Sequence, residues 1–218
     1  MKRIAVLLSG CGVFDGSEIH ESVLALLAIQ EKGASYQCFA PDRPQLHVVN
    51  HLTGEVAEQE SRNCLVEAAR IARGEVLPLS DLHAADYDAL VVPGGFGAAK
   101  NLCDFALSGS ECQVSDDVMA VALAFAQAGK PCGYLCIAPM MLPRIYGEGV
   151  QGTIGDDHDT AAAFNAMGGD HRECSVEEIH VDETHKVVTT PAYMLAKSLP
   201  EAATGIRALV SRVIELCG

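Results

Sequence analysis

Residues 133–142 read GYLCIAPMML, and this stretch decides the predicted fold. A short apolar run ends at Cys136, and small and apolar residues with helical propensity follow it directly. The pattern predicts a strand, a sharp turn and a helix, with Cys136 on the turn. A thiol there projects from the carboxyl edge of a sheet, beside the positive end of the next helix, which favours the thiolate. The alternative is that Cys136 is buried and inert, as free cysteines commonly are. Of the nine cysteines, it is the one that lies directly between an apolar strand and the start of a helix.

A second stretch has the same order of strand and turn. Residues 89–97 read ALVVPGGFG, an apolar run followed by glycines that allow backbone N–H groups to approach a ligand closely. If the two strands are neighbours, their turns place a thiol and a group of amide donors in one cleft.

The composition limits the classes of function. The chain has 218 residues, about half of them hydrophobic, and no linker that forces two domains, so we expect a single domain over residues 1–218. The net charge of −14 argues against nucleic acid and anionic membranes as partners. The apolar run after Met1 stops at Ser9-Gly10, too early for a signal peptide. Scattered cysteines indicate free thiols in a reducing compartment, and we expect a cytoplasmic protein.

The N-terminal part of the chain predicts a β-α-β unit. A strand over 2–8 is followed by a helix over 18–32, capped by Ser17 or Asp15, and by a strand over 35–40. Such a unit implies a parallel sheet with a right-handed crossover. Further along the chain we predict strands at 89–92 and 131–135, helices at 115–128 and 138–146, and a hairpin of 178–182 with 186–190.

Two acidic residues open the first predicted helix. Glu18 and Glu21 are three residues apart, so they share one face at the edge where α/β sheets place their ligand sites. The alternative is that they serve only the helix dipole, which favours acidic residues in a first turn. His20 lies between them on another face, and we expect it to be solvated rather than functional.

These motifs together resemble the PfpI-like cysteine proteins, which include the Parkinsonism-associated deglycase and have the class I glutamine amidotransferase-like fold. The resemblance covers nearly the whole chain. Residues 91–95 with 100–102 resemble the glycine loop of the family, and Cys136 with Pro139 and Leu142 resembles its nucleophile elbow. Within this superfamily, residues 15–21 and 189–194 are similar to the ElbB branch.

The resemblance implies a fold and a site. The implied fold is an α/β, flavodoxin-like three-layer sandwich with a mostly parallel central sheet plus a small β-hairpin, usually in a homodimer. The implied catalytic residues are Cys136 and Glu21, with Glu18 as a second acidic residue. Further motif matches are Gly94 in the loop, and Gly95 and Ile137 as donors of oxyanion amides. Many members have histidine where this chain has Ile137, which weakens a protease or amidase interpretation.

ElbB-type proteins are associated with glutathione-independent glyoxalase activity, the conversion of glyoxal to glycolate. We therefore expect a small aldehyde as substrate, a Cys136 hemithioacetal and no metal or cofactor. The mechanism asks for a raised pKa at Glu21 and a pKa at Cys136 below the reference of about 8.5. The alternative is a redox-sensing or binding protein whose Cys136 is oxidised and whose aldehyde turnover is incidental. The sequence does not separate the two, since both need Cys136 and Glu21.

Overall fold

The computed structural model describes residues 1–218 and contains eleven strands and seven α-helices. The strands are β1 (Arg3–Leu7), β2 (Ser35–Ala40), β3 (Val49–Asn50), β4 (Glu55–Val56), β5 (Val76–Pro78), β6 (Ala89–Val92), β7 (Cys132–Leu135), β8 (Gln151–Gly152), β9 (Asp170–His171), β10 (His180–Asp182) and β11 (Val187–Thr190). The helices are α1 (Ile19–Glu31), α2 (Cys64–Ile71), α3 (Phe105–Ser108), α4 (Asp116–Gln127), α5 (Leu142–Tyr146), α6 (His158–Ala166) and α7 (Leu199–Leu216).

The central sheet has seven strands in the order β10-β11-β7-β6-β1-β2-β5. All pairings are parallel except that of β10 with β11, which form the predicted hairpin. The register aligns Val91 of β6 with Val6 of β1 on one side and with Gly133 of β7 on the other. The carboxyl ends of β1, β6, β7 and β11 therefore meet at one edge of the sheet.

Two apolar cores cover the two faces of this sheet and make it a three-layer sandwich. One core of 25 buried residues lies under α1, α2 and α7, and it includes Ile29, Ala68 and Leu209. The other, of 28 buried residues, lies under α4, α5 and α6, and it includes Phe125 and Phe164. The predicted flavodoxin-like sandwich is confirmed. Strands β3 and β4 form a small hairpin outside it, and β8 pairs with β9.

Two local predictions are wrong. The N-cap of α1 is Glu18 rather than Ser17 or Asp15, because Ser17 instead accepts the backbone N–H of Ser9 at 2.8 Å. The predicted helix over 138–146 begins as a 3₁₀ turn at Ala138–Met141 and becomes α-helical only at Leu142. None of the helices combines the length and the apolar composition that crossing a bilayer requires.

Candidate active site

Cys136 occupies the turn at the end of β7, as predicted. Its φ of +60° lies in the left-handed region, where a residue with a side chain is strained by roughly 1–3 kcal/mol. The surrounding structure maintains this conformation, since the Cys136 N–H donates to the Thr190 carbonyl at 3.0 Å. The side chain is buried, with 7% of the residue exposed, and lines a cleft at the sheet edge.

Glu21 lies in the first turn of α1 and is fully buried. Its Oε2 accepts the N–H of Gly94 at 2.9 Å, and its Oε1 accepts the N–H of Tyr193 at 3.1 Å. These bonds fix the carboxyl between the turn after β6 and the loop after β11. A methyl group built on Gly94 would lie 2.8 Å from Glu21 Oε2 and 2.9 Å from Cys136 Sγ. The carboxyl and the thiol thus flank a single point, and each affects the titration of the other.

Burial dominates the electrostatics of this pair. It raises the pKa of Glu21 from 4.5 to about 7, and the nearby Glu18 carboxylate adds to the rise, while the amides of Tyr193 and Gly94 oppose it. This agrees with the raised pKa that the proposed chemistry requires of Glu21.

The predicted fall in the pKa of Cys136 is wrong. Burial, and next the charge of Glu21, raise the pKa of this thiol well above its usual value. The backbone N–H groups of Gly95 and Ile137 face the sulfur and lower its pKa, but their effect is smaller than that of burial. The thiol consequently needs a base to remove its proton, and Glu21 is the adjacent carboxyl.

Glu18 supports Glu21 rather than facing the sulfur. Its Oε2 accepts the Glu21 N–H at 2.6 Å and caps α1, while its own N–H donates to the Gly94 carbonyl at 3.0 Å. It is nine-tenths buried and lines the cleft. The prediction that Glu18 and Glu21 share one helix face is therefore wrong: Glu18 is the N-cap of α1, and Glu21 lies in the first turn.

The two glycines of the loop after β6, Gly94 and Gly95, have different roles in the site. The Gly94 N–H is already bonded to Glu21, so this residue positions the carboxyl and has no amide left for an oxyanion. Gly95 has a φ of +89°, and a methyl group there would lie 2.4 Å from the Glu18 nitrogen. Only glycine allows this approach of the loop to α1. The amides of Gly95 and Ile137 remain as candidate oxyanion donors.

The cleft that contains Cys136 is a cavity of about 270 Å³. Its walls are mostly apolar and include Phe96, Phe105 and Met194, with Glu18, Thr160 and Tyr193 among the polar contributors. No lysine or arginine lines it. Four larger grooves, of about 570, 620, 350 and 360 Å³, lie elsewhere on the surface and contain none of the predicted site residues.

Sequence reasoning missed the part played by Tyr193. Its backbone N–H holds Glu21, its side chain lines the cleft, and its hydroxyl lies 3.0 Å from His20 Nδ1. The end of the strand before Tyr193 was visible in the sequence, but only the sheet order shows that β11 lies beside β7. His20 is exposed, as expected, yet it contacts this residue.

The histidines of the C-terminal third do not complete the site. His158, His171, His180 and His185 line none of the walls around Cys136. His185 instead pairs with Asp182 at 2.8 Å, and His180 contacts Gln151.

A parallel α/β sandwich with a cysteine on a strained strand-to-helix turn defines a class of nucleophile-elbow proteins. No family model matches the chain. It is 48% identical over 225 residues to the human glutamine amidotransferase-like class 1 domain-containing protein 3, mitochondrial, covering 99% of this chain and 84% of that protein. The rat ES1 protein homolog, mitochondrial, is 47% identical with the same coverage.

Two solved structures are similar to this chain in fold. An isoprenoid biosynthesis protein with an amidotransferase-like domain from Ehrlichia chaffeensis is 34% identical, with a TM-score of 0.93 and full coverage of both chains. A DJ-1 superfamily protein from Agrobacterium tumefaciens shares the fold at 18% identity and a TM-score of 0.57, over 99% of this chain and 89% of that one. The chain belongs to the glutamine amidotransferase-like class 1 family.

The comparisons also correct one prediction. We expected a cytoplasmic protein, but the human and rat relatives are both named mitochondrial, which contradicts that expectation. The ElbB branch and the homodimer stay predictions.

Proposed function

We propose that this protein is a glutathione-independent glyoxalase that converts glyoxal to glycolate with Cys136 and Glu21. The observation that supports this most is the shared point near Gly94, within 3 Å of which both the thiol sulfur and a carboxyl oxygen lie. When a nucleophile and a proton-transfer group lie so close together, they can act on neighbouring carbons of one small dicarbonyl.

The first step joins Cys136 to the substrate. The Glu21 carboxylate takes the thiol proton as the sulfur forms a bond to one aldehyde carbon. The electron pair of that C=O bond moves to oxygen, and the Gly95 and Ile137 amides donate hydrogen bonds to the oxyanion. Return of the proton from Glu21 to this oxygen gives a neutral hemithioacetal.

The second step moves hydrogen between the two substrate carbons. Glu21 removes the proton from the carbon bonded to sulfur, which gives an enediol-like state, and then delivers a proton to the neighbouring carbon. The hydroxyl proton on the first carbon passes to the oxygen on the second. The product is a glycolyl thioester of Cys136, with no net oxidation or reduction.

Water completes the reaction. It adds to the thioester carbonyl, the carbon–sulfur bond breaks, and Cys136 regains its proton. Glyoxal and water thus give glycolic acid, which ionises to glycolate and releases one proton at neutral pH. These three steps use side chains and backbone amides of this chain, together with water.

The test is glycolate formation from glyoxal without glutathione. We expect wild-type turnover of about 1 per second or more, no turnover by Cys136→Ser, and wild-type rates for Cys174→Ser. Cys174 is a matched control because it is partly exposed and lies outside the cleft. Turnover that is far slower, or that persists in Cys136→Ser, would contradict the proposal.

The redox-sensing alternative needs the same thiolate as the proposed glyoxalase. Oxidation of cysteine proceeds through the thiolate, and burial raises the pKa of Cys136, which lowers its thiolate fraction at neutral pH. A slow, Cys136-independent aldehyde signal together with an oxidised Cys136 would favour this alternative.

A further inference from the structure

One contact connects the buried site to the surface. The Tyr193 hydroxyl lies 3.0 Å from His20 Nδ1, and the two rings have centroids 5.8 Å apart. At its other end, Tyr193 lines the cleft and holds Glu21 Oε1 through its backbone N–H. His20 itself is exposed on the first turn of α1. The backbone of Tyr193 therefore holds the Glu21 carboxyl, while its side chain runs from the cleft wall to a solvent-exposed imidazole.

Each turnover of the proposed reaction releases a proton, which has to leave the cleft. The acid groups that handle protons in the cleft are buried: Glu21 is fully buried, and Cys136 and Glu18 are 7% and 9% exposed. The titratable side chains that line the cleft are Glu18, Cys136 and Tyr193. Of these three, Tyr193 is the one whose side chain contacts an exposed titratable group.

The chemistry of the two groups suits a relay. A phenol hydroxyl can donate one proton while it accepts another. Imidazole exchanges protons with solvent near neutral pH more readily than any other side chain. Burial, and then the carboxylates of Glu18 and Glu21, raise the pKa of Tyr193, so its hydroxyl keeps a proton and can pass it on only as it accepts another.

We propose that Tyr193 and His20 form the path by which the proton released in each turnover leaves the cleft. This inference rests on the proposed glyoxalase function. In the last step, the proton lost by the new carboxylic acid passes to the Tyr193 oxygen. The Tyr193 hydroxyl proton passes in turn to His20 Nδ1, and the imidazole delivers a proton to solvent. One proton enters the path and one leaves it, and exchange of the exposed imidazole with solvent restores its starting tautomer.

The test measures glyoxal turnover at neutral pH in weak buffer, with and without added imidazole. His20→Gln keeps a polar group near Tyr193 but cannot exchange protons, and we expect its kcat to fall about tenfold with an unchanged KM. Added imidazole should restore that rate to near the wild-type value, because free imidazole replaces the missing proton carrier. Tyr193→Phe removes the hydroxyl and should lose a similar factor.

His83→Gln is the matched control, since His83 is exposed and outside the cleft. It should turn over like the wild type with or without imidazole. A merely structural role of His20 would lower the rate without any response to imidazole, which would overturn the proton path. A wild-type rate in His20→Gln would overturn it as well. Absence of turnover in the wild type would instead overturn the proposed function, and the path with it.

Discussion

At the scale of single residues, the site depends on one carboxyl and one thiol that share a buried position. The sequence predicted Cys136, Glu21 and Glu18 from local patterns and from family resemblance. The structure places Cys136 and Glu18 in the wall of one cleft and the buried Glu21 carboxyl beside Cys136. The sequence led to the wrong direction for the pKa change at Cys136. The N-terminus of a following helix is a local feature, whereas burial depends on how β7, α1 and the loop after β11 pack together.

Gly94 is the residue whose lack of a side chain brings the pair together. A methyl group at this position would lie 2.3 Å from Cys136 Cβ and would also contact both reacting groups. We expect Gly94→Ala to lower glyoxal turnover more than about 100-fold, because a displacement of about 1 Å costs that much in a preorganised site. The control is Gly54→Ala on the exposed β3–β4 hairpin, where a methyl group meets no atom within 4 Å. Equal turnover in the two variants would show that the pair does not require Gly94.

The pH dependence of turnover follows from the pKa of Glu21, which is about 7. Glu21 must be ionised to accept the thiol proton, so kcat/KM should fall about tenfold per pH unit below this pKa. The Glu18 carboxylate raises the pKa of Glu21, so Glu18→Gln should move the midpoint of the profile to lower pH. A profile that rises as the pH falls would exclude Glu21 as the base.

At the scale of elements, six strands of the central sheet, β1, β2, β6, β7, β10 and β11, were predicted to within a residue or two, because most are short apolar runs bounded by a turn residue. The predicted and observed bounds agree for the strands at 35–40 and 89–92. The neighbours of each strand were not predictable in the same way, since β7 pairs with β6 and β11, which are distant in sequence. For that reason the contribution of Tyr193 to the site remained hidden.

The loop that leads into α1 depends on Asn101. This residue is 5% exposed, and its Nδ2 donates to the carbonyls of Ser9 at 2.8 Å and Asp15 at 2.9 Å. Its Oδ1 accepts the Leu46 N–H at 3.0 Å. Asn101 thus holds together the turn after β1 and the segment after β2.

Asn101→Ala would leave three backbone groups without a partner. We expect it to lower the free energy of unfolding by about 2–4 kcal/mol, since each unsatisfied buried group costs about 1–3 kcal/mol before relaxation. Urea unfolding measures this, with Asn50→Ala on the exposed hairpin as control. A loss no larger than that of the control would show that water satisfies these groups.

At the scale of the whole molecule, the buried Glu21 makes stability depend on pH. Its pKa is about 7 in the folded protein and 4.5 as a free group, so between these values the folded state holds a proton that the unfolded state has lost. The free energy of unfolding should therefore fall as the pH rises from about 4.5 to 7, by roughly 3 kcal/mol at about 1.4 kcal/mol per unit.

Glu21→Gln removes this titration. Glutamine has one acceptor oxygen, so one of the two N–H groups that bond to Glu21 loses its partner at every pH. The fall in the free energy of unfolding that the titration of Glu21 causes should be absent from this variant. Urea unfolding at pH 5 and pH 8 compares the two proteins. The same pH dependence in both would show that Glu21 titrates normally in the folded state.

The central claim is that Glu21 and Cys136 act together as base and nucleophile. The initial rate of glycolate formation from glyoxal by folded Glu21→Gln, beside the wild type and Glu18→Gln, tests it most directly. We predict a fall of at least about 100-fold for Glu21→Gln and a smaller fall for Glu18→Gln. Equal rates in Glu21→Gln and the wild type would contradict the claim.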